Sequence, residues 1–210
     1  MPVAKAARKP RPQDPCRAQW RVDVIAIGAS AGGFPAIVQV LPGLTSNAPA
    51  VLIVQHLDPN RKSFLAGLLA QKTSRLVKQA EHGEPILAGT IYVCPPDQHM
   101  LVAESKIELS HSELVHFSRP SIDLLFESVA GRYGSRCMGV ILSGSNSDGA
   151  TGIRAIRQAG GITVAQLPAS AEFRTMPQAS IDTGCVDFVA PVDKLGSEIM
   201  RLCEVNHQHT

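Results

Sequence analysis

The chain has 210 residues and a formal net charge of +2, with 44% hydrophobic, 18% charged and 4% aromatic residues. This composition excludes wholesale disorder, which needs low hydrophobicity and high net charge, and the few aromatic residues argue against a protein that stacks on single-stranded nucleic acid. No apolar run approaches the roughly 20 residues of a membrane span and no secretory signal begins the chain, so we expect a cytoplasmic protein that inserts into no membrane and binds no nucleic acid.

Positive charge is concentrated at the start of the chain, where residues 1–21 contain six Lys or Arg, one Asp and four Pro. Charged, proline-rich termini are usually solvated, so we expect residues 1–21 to form a disordered basic tail. The folded domain is expected to cover residues 22–204, and residues 205–210 to form a C-terminal tail. The basic tail carries a larger positive charge than the chain as a whole, so the domain itself carries a small net negative charge.

Short apolar runs rich in β-branched residues then alternate with amphipathic segments. In chain order, the pattern predicts a strand at 22–27, a helix at 34–44, a strand at 50–55, helices at 63–72 and 118–133, a strand at 137–142, a helix at 151–159, a strand at 162–166, a helix at 177–183, a strand at 186–189 and a helix at 192–204. Between residues 76 and 109, glycine and proline punctuation predicts a small antiparallel hairpin insertion, with strands at 90–94, 101–103 and 106–109. Continuous apolar strands separated by helices predict a doubly wound α/β fold, a mostly parallel sheet with helices on both faces.

The densest motif is residues 28–33 (GASAGG), between the first strand and the first helix. As G-x-S-x-G it is a nucleophile elbow, a tight turn that presents the hydroxyl of Ser30 above the sheet edge. As a degenerate G-x-G-x-x-G it would bind a dinucleotide, but Ser30 stands where glycine must let the backbone approach pyrophosphate. The second strand also ends in Gln55-His56 rather than in the acidic residue of a dinucleotide site. A glycine-rich turn with Ser30 as a helix cap explains the motif as well as the elbow does.

Two further polar residues follow predicted strands. His56 comes directly after the strand at 50–55, and a right-handed crossover places that strand beside the first one, with both carboxyl ends at one edge. His56 is then within reach of Ser30, where a general base is needed. Asp148 follows the strand at 137–142, where it would orient the second nitrogen of His56, although a helix cap or an Asp-Gly turn also explains it. The chain order Ser, His, Asp differs from that of the α/β-hydrolases, which disfavours their fold.

Other titratable side chains are weaker candidates. His99 is the reserve candidate for the base, with a structural role as the more common alternative. His111, Glu113 and His116 have neither helical nor strand spacing for zinc, which favours a solvated loop and no metal site. The five cysteines form no C-x-x-C pair and are odd in number, so we expect reduced thiols, no disulfide framework and no cofactor.

Seven stretches, in order along the chain, resemble the catalytic domain of the chemotaxis-type protein-glutamate methylesterases, the CheB family. They are residues 25–33 (IAIGASAGG), 54–56 (VQH), 95–101 (PPDQHML), 119–128 (RPSIDLLFES), 140–152 (VILSGSNSDGATG), 157–165 (RQAGGITVA) and 176–184 (MPQASIDTG). The resemblance implies a parallel α/β methylesterase domain over residues 22–204, in which Ser30, His56 and Asp148 form a catalytic triad.

The resemblance also implies a reaction and a partner. The expected enzyme is a serine hydrolase that demethylates glutamate γ-methyl esters on the cytoplasmic helices of chemoreceptors and deamidates specific receptor glutamines. The methylated receptor is then its protein partner. Backbone N–H groups near Ala31, Ser145 and Asn146 are candidate oxyanion donors, and Arg119 and Met176 are candidates for the substrate rim.

Three features depart from the family pattern. Members usually carry an N-terminal receiver domain, and the 21 residues before the first strand are too few for one, so regulation is expected either to come from a separate regulator or to be absent. Ala31 replaces a common threonine, and Ser145 and Asn146 replace a common methionine and glycine; the backbone donors survive both changes. Two alternatives stay open: the same esterase chemistry on another protein or small ester, and a non-catalytic module that binds an anion or nucleotide at the start of the first helix.

Overall fold

The computed structural model describes residues 21–46, 48–59, 63–115 and 118–204. Apart from Arg21, the two predicted tails lie outside this part of the chain. The elements, in chain order, are β1 (Val24–Ala29), α1 (Gly33–Val40), β2 (Ala50–Gln55), α2 (Leu65–Ala70), β3 (Leu76–Gln79), β4 (Thr90–Val93), β5 (His99–Ala103), β6 (Lys106–Ser110), α3 (Ile122–Tyr133), β7 (Cys137–Ile141), α4 (Ala150–Gln158), β8 (Ile162–Gln166), α5 (Thr175–Asp182), β9 (Phe188–Ala190) and α6 (Val192–Cys203). Within the described ranges, no helix combines the length and the apolar character that a bilayer crossing requires.

Seven strands form one parallel sheet in the order β3-β4-β2-β1-β7-β8-β9, and β5 pairs with β6 in a separate antiparallel hairpin. The central strands β1, β2 and β7 are buried along their whole length, because their sequences are apolar on both faces. Ile25 and Ile27 of β1 pack with α1 and α6, whereas Val24 and Ala26 pack with α3 and α4 on the other face. The predicted doubly wound α/β fold with a hairpin is confirmed.

The hairpin insertion is smaller than the sequence pattern predicts. The run predicted as an insertion strand at 90–94 is β4, which lies inside the parallel sheet between β2 and β3. All four residues of β4 are buried, so it is a core strand, although its short length and its Gly and Pro neighbours are typical of a hairpin strand. Only β5 and β6 form the hairpin, and β5 packs against α3.

The observed helices begin or end a few residues from their predicted bounds. The helix predicted at 118–133 begins at Ile122, because the side-chain oxygen of Ser121 accepts a hydrogen bond from the first turn and caps it. The helix predicted at 63–72 is reduced to α2, and the oxygen of Ser63 accepts from the first N–H of that helix. Ser121, predicted inside its helix, thus stands just before it, and Ser63, predicted as the residue that opens its helix, lies two residues before α2.

The strand order brings three loops to one edge of the sheet. β1 lies between β2 and β7 and pairs in parallel with both, so the chain leaves all three strands at their carboxyl ends on the same side. Ser30 directly follows β1, His56 directly follows β2, and Asp148 lies in the loop between β7 and α4. Side chains distant in the sequence are therefore neighbours at this edge.

Candidate active site

Three side chains at this edge of the sheet form a continuous series of hydrogen bonds. Ser30 Oγ lies 3.1 Å from His56 Nδ1, and His56 Nε2 lies 2.9 Å from Asp148 Oδ2. The side chain of Asp148 is fully buried, whereas that of His56 keeps 15% of its surface exposed. Ser30 lies on the wall of an open groove, so a substrate can approach its hydroxyl group.

These contacts determine which nitrogen of His56 carries the proton. A carboxylate only accepts hydrogen bonds, so Nε2 donates to Asp148, and the lone pair of Nδ1 faces the hydroxyl of Ser30. In this tautomer His56 is able to take the hydroxyl proton as a general base. Burial acts to raise the pKa of Asp148, but hydrogen bonds from His56 and from backbone N–H groups outweigh burial, so the pKa lies below its ordinary value and Asp148 is ionised.

The turn between β1 and α1 holds Ser30 by its backbone. The N–H of Ser30 donates to the carbonyl of Ser143 over 2.9 Å, and the carbonyl of Ser30 accepts from the N–H of Gly33 over 2.9 Å. Gly32, just before α1, has a φ of 67°, a left-handed conformation that glycine adopts without strain. No side chain caps α1 at this end, so the alternative in which Ser30 serves as the helix cap is wrong.

Asp148 is held by four donors, three of which belong to the start of α3. Its Oδ1 accepts from Ser121 Oγ–H at 3.2 Å and from the N–H of Asp123 at 3.0 Å. Its Oδ2 accepts from the N–H of Ile122 at 2.8 Å in addition to His56. Asp148 therefore satisfies N–H groups at the N-terminus of α3, in the manner of a cap, while it orients His56. The prediction that Asp148 caps the helix that follows it is wrong, since Gly149 precedes α4 and no side chain caps that helix; Asp148 accepts from the start of α3 instead.

Asp123 makes the reciprocal contact. Its Oδ1 accepts from the N–H of Gly152, in the first turn of α4, at 2.7 Å. Two buried carboxylates, Asp123 and Asp148, therefore lie at the facing N-termini of α3 and α4. Burial, together with the charge of Asp148, raises the pKa of Asp123 to about 6, although hydrogen bonds from the backbone of α4 act in the opposite direction.

We expect Asp123→Asn to be more favourable for the free energy of unfolding at pH 7.5 than at pH 4.5, by about 1–3 kcal/mol, since one unit of pKa shift corresponds to about 1.4 kcal/mol. The pKa of Asp123 is higher in the folded protein than its ordinary value of 3.8, so the wild-type stability falls as the pH rises from about 4 to about 6. Asparagine keeps an oxygen for Gly152 but carries no charge. Urea denaturation near pH 4.5 and pH 7.5 measures the difference, and an equal effect at both pH values would contradict this account.

His99, the reserve candidate for the base, is fully buried. Its Nδ1 accepts from the N–H of Ser121 at 3.0 Å, and its Nε2 donates to the carbonyl of Glu113 at 3.0 Å. Both ring nitrogens are therefore engaged within the fold. His99 supports the start of α3, and through it Asp148, rather than the hydroxyl of Ser30.

We expect His99→Gln to lower the melting temperature by several degrees and to change kcat on a soluble ester at most a few-fold. The reason is that a lost buried hydrogen bond costs about 1–3 kcal/mol, while the proton acceptor for Ser30 is untouched. Thermal unfolding and initial rates on the same preparation test both parts. A loss of orders of magnitude in kcat at an unchanged melting temperature would bring His99 into the chemistry.

Gln55 is a site residue for which the sequence analysis predicted no role. It is the last residue of β2, it is buried, and its Nε2 donates to the carbonyls of both Ser30 (2.7 Å) and His56 (3.0 Å). One amide group thus ties the backbone of Ser30 to that of His56. The signal in the sequence is a polar residue that ends an otherwise apolar buried strand directly before His56.

The peptide unit of Ala31 is held next to Ser30. Its carbonyl accepts from Ser143 Oγ–H at 2.8 Å. Within the described part of the chain, its N–H donates to no protein acceptor, whereas the N–H of Ser30 is already used. Ala31 is therefore the oxyanion candidate with an available donor directly beside the hydroxyl.

The other two oxyanion candidates lie in the loop after β7. Ser145 is exposed, and Asn146 is half-buried. The side chain of Asn146 borders the site, since its Oδ1 accepts from the N–H of Asp148 at 3.2 Å and its Nδ2 lies 3.5 Å from His56 Nδ1. Asn146 thus contacts the site with its side chain, and its role as a backbone donor stays a prediction.

The two rim candidates have different surroundings. Arg119 lines a cavity together with His56, but its guanidinium is already engaged, with Asp97 at 2.7 Å and with backbone carbonyls of the hairpin region. Met176 is fully buried, so its placement at the rim is wrong. Its sulfur packs so closely on Gly144 that a Cβ atom added to Gly144 would lie 2.6 Å from this sulfur. Met176 therefore packs beneath the backbone of the loop after β7, as part of the core.

The residues considered for metal binding follow β6 in the chain. His111 Nε2 lies 3.5 Å from Asp97 Oδ2, and His116 lies outside the described residues. In the described ranges, no group of three or more His, Cys, Asp or Glu side chains is arranged to hold a metal ion. Cys94, Cys137, Cys185 and Cys203 are free thiols.

Comparisons with known proteins agree with the resemblance in the sequence. The family model described as CheB methylesterase matches residues 25–199. The protein-glutamate methylesterase/protein-glutamine glutaminase 2 of Anaeromyxobacter dehalogenans is 41% identical over 199 residues, which cover 94% of this chain and 58% of that protein. The protein-glutamate methylesterase/protein-glutamine glutaminase 1 of Burkholderia pseudomallei is 42% identical over 181 residues, which cover 84% of this chain and 50% of that protein. The chain thus spans about half of the length of these curated relatives.

A solved structure supports the same assignment. The crystal structure of the Thermotoga maritima CheB methylesterase catalytic domain superposes with a TM-score of 0.82 at 28% sequence identity, covering 86% of this chain and 98% of that chain. The match to the family model extends from the second residue of β1 into α6. The chain therefore belongs to the CheB methylesterase family.

Proposed function

We propose that the chain is a serine hydrolase that demethylates glutamate γ-methyl esters on methyl-accepting chemoreceptors. Ser30 is the nucleophile, His56 the general base and acid, and Asp148 the group that orients His56. The observation that carries the proposal is the hydrogen-bonded series from Ser30 Oγ through His56 to the buried carboxylate of Asp148. The names of the relatives, protein-glutamate methylesterase and protein-glutamine glutaminase, support this reaction and a hydrolase.

In the first half-reaction, Ser30 Oγ attacks the ester carbonyl carbon while His56 Nδ1 takes the hydroxyl proton. The ionised Asp148 stabilises the resulting imidazolium. Collapse of the tetrahedral intermediate breaks the bond to the methoxy oxygen, and His56 returns its proton to that oxygen. Methanol leaves, and the glutamyl group stays bound to Ser30 as an ester.

In the second half-reaction, water attacks the glutamyl ester and gives a proton to His56, which passes it to Ser30 Oγ. The products are the glutamate side chain and the free serine. In both halves the N–H of Ala31, with donors from Ser145 and Asn146, holds the negative oxygen of the intermediate. A donor of this kind contributes roughly 3 kcal/mol in other hydrolases.

The same site is proposed to deamidate receptor glutamines, with ammonia as the leaving group in place of methanol. The chemistry is unchanged, because His56 protonates whichever group leaves the tetrahedral carbon. The enzyme would then act in the cytoplasm, on the methylated receptor as its partner. The separate regulator expected from the resemblance stays a prediction.

Methanol release from membranes that contain methylated chemoreceptors tests the proposed function. We expect time-dependent release, inhibited by a fluorophosphonate that labels Ser30. Hydrolysis of small esters without methanol release would favour the same chemistry on another substrate. No labelling of Ser30 and no hydrolysis of any ester would overturn the proposal in favour of a binding module.

A further inference from the structure

An apolar groove opens directly beside Ser30. Ser30 is part of its wall, and its apolar lining consists of the side chains of Phe34, Pro35, Leu57, Phe64, Leu65 and Leu68. The groove has a volume of about 430 Å³, and spaces of this size hold whole small ligands in other proteins. A methyl ester that reaches Ser30 fills only a small part of it.

Helix α2 presents apolar side chains to this groove. Leu65 and Leu69 are buried, whereas Leu68 is 46% exposed and Phe64, four residues earlier, is 68% exposed. Phe64 directly precedes α2, and the N–H of Leu68 donates to its carbonyl over 3.0 Å. The first turn thus carries both side chains, which line the groove together. Grouped apolar side chains of this kind mark binding surfaces, whereas single exposed ones need no explanation.

The charges around the site are distributed unevenly. Among the described residues that line the groove, Asp58 is the one with a charge. A second cavity of about 310 Å³, lined by His56, contains the ion pair of Asp97 and Arg119, and Leu57 lines both cavities. A segment bound across the site therefore meets an apolar surface next to Ser30 and an ion pair next to His56.

We propose that the apolar groove binds an apolar side chain of the substrate protein, one helical turn from the esterified glutamate. The inference rests on the proposed function, in which the ester is carried by a receptor helix. Residues four apart lie about 6 Å apart along a helix and on one face, so the helix that presents an ester to Ser30 presents this neighbour to the groove. A charged glutamate at this position would lose hydration against the apolar lining of the groove. Leu68 is thus a residue that determines specificity.

Helical peptides of about 25 residues, long enough to be helical in isolation, test this inference. Each peptide carries one glutamate methyl ester and either Leu or Glu at the position four residues before or four residues after it. In the register controls, the Leu or Glu stands two residues from the esterified glutamate instead of four. We expect the wild-type enzyme to prefer Leu over Glu by at least tenfold in kcat/KM at one of the four-residue positions and at neither control position. Rates are normalised to the sites that a fluorophosphonate titrates.

Leu68→Lys should reverse this preference. The ammonium group of the lysine attracts the carboxylate of a glutamate, and the apolar contact with leucine is lost. Leu76→Lys is the matched control, since Leu76 is 64% exposed at the amino-terminal end of β3, the opposite edge of the sheet, and it should keep the wild-type preference. An active wild-type enzyme without a Leu preference, or a Leu68→Lys enzyme with the wild-type preference, would overturn this inference alone. If the wild-type enzyme hydrolysed neither the peptide esters nor the receptor esters, both the proposed function and this inference would be overturned. Hydrolysis of receptor esters but of none of the peptide esters would overturn the inference alone.

Discussion

Replacing Ser30 by alanine is expected to reduce methanol release by about 10⁶-fold, the loss that follows removal of the nucleophile in another serine hydrolase. The substitution deletes one oxygen atom, the one that forms the bond to the ester carbon, and neither His56 nor Asp148 replaces it. Folding should be nearly unaffected. Among the described residues, the hydroxyl of Ser30 contacts only His56, and α1 has no side-chain cap to lose, so the melting temperature should change by less than about 3 °C.

Purified Ser30→Ala protein is compared with wild type by methanol release and by thermal unfolding. Ser197→Ala is a matched control, because it removes a serine hydroxyl that bonds only within α6, to the carbonyl of Lys194, and its rate should equal that of wild type. Methanol release by a folded Ser30→Ala enzyme within tenfold of wild type would remove Ser30 as the nucleophile.

The meeting of Ser30 and His56 could be predicted because it depends on chain topology alone. Both residues follow buried parallel strands, and consecutive strands joined by a right-handed crossover are usually neighbours. Pairing of Ala29 with Gln55 at the ends of β1 and β2 then places Ser30 and His56 side by side. No side-chain packing has to be known for this step.

The surroundings of Asp148 could not be predicted in the same way. Three of its four donors come from the start of α3, more than 20 residues earlier in the chain, and the position of that helix depends on contacts across the sheet. One such contact is at Gly28, where a Cβ would meet Ile122 at 2.4 Å. The sequence pattern indicates only a turn motif at Gly28, whereas in the structure this glycine makes room for the helix that holds Asp148.

Two errors have a common physical cause. The run that forms β4 has the same composition whether it pairs in a hairpin or in a parallel sheet, and burial by β2 and β3 decides between them. The side chain of Met176 is equally compatible with a rim or a core, and the absent side chain of Gly144 decides that it is buried. In each case the deciding partner is distant in the sequence.

Replacing Asp148 by asparagine is expected to lower kcat by about 10⁴-fold, as amidation of the triad aspartate does in a serine protease. All four donors around the carboxylate point their hydrogens toward it, whereas an amide offers a single oxygen. Either orientation of the amide therefore sets N–H₂ against at least one buried backbone N–H, which costs about 1–3 kcal/mol of stability.

The two orientations impair the chemistry differently. If the NH₂ group replaces Oδ2, His56 must accept at Nε2 and carry its proton on Nδ1, so it no longer takes a proton from Ser30. If the NH₂ group replaces Oδ1, the tautomer survives, but the negative charge that stabilises the imidazolium is lost and the N–H of Asp123 has no acceptor. Nitrogen NMR of the imidazole of His56 distinguishes the two cases, because protonated and unprotonated ring nitrogens differ in chemical shift.

Ser121→Ala separates the rate effect of Asp148 from its effect on stability. This variant removes one donor to Asp148 and the cap of α3, a loss of about 1 kcal/mol, but leaves the contact between Asp148 and His56 in place. Its kcat should stay within tenfold of wild type, while Asp148→Asn loses about 10⁴-fold. An Asp148→Asn enzyme with near wild-type kcat would show that the carboxylate serves the start of α3 and not the chemistry of His56. Equal large losses in both variants would mean that the rate follows the position of α3 and not the charge of Asp148.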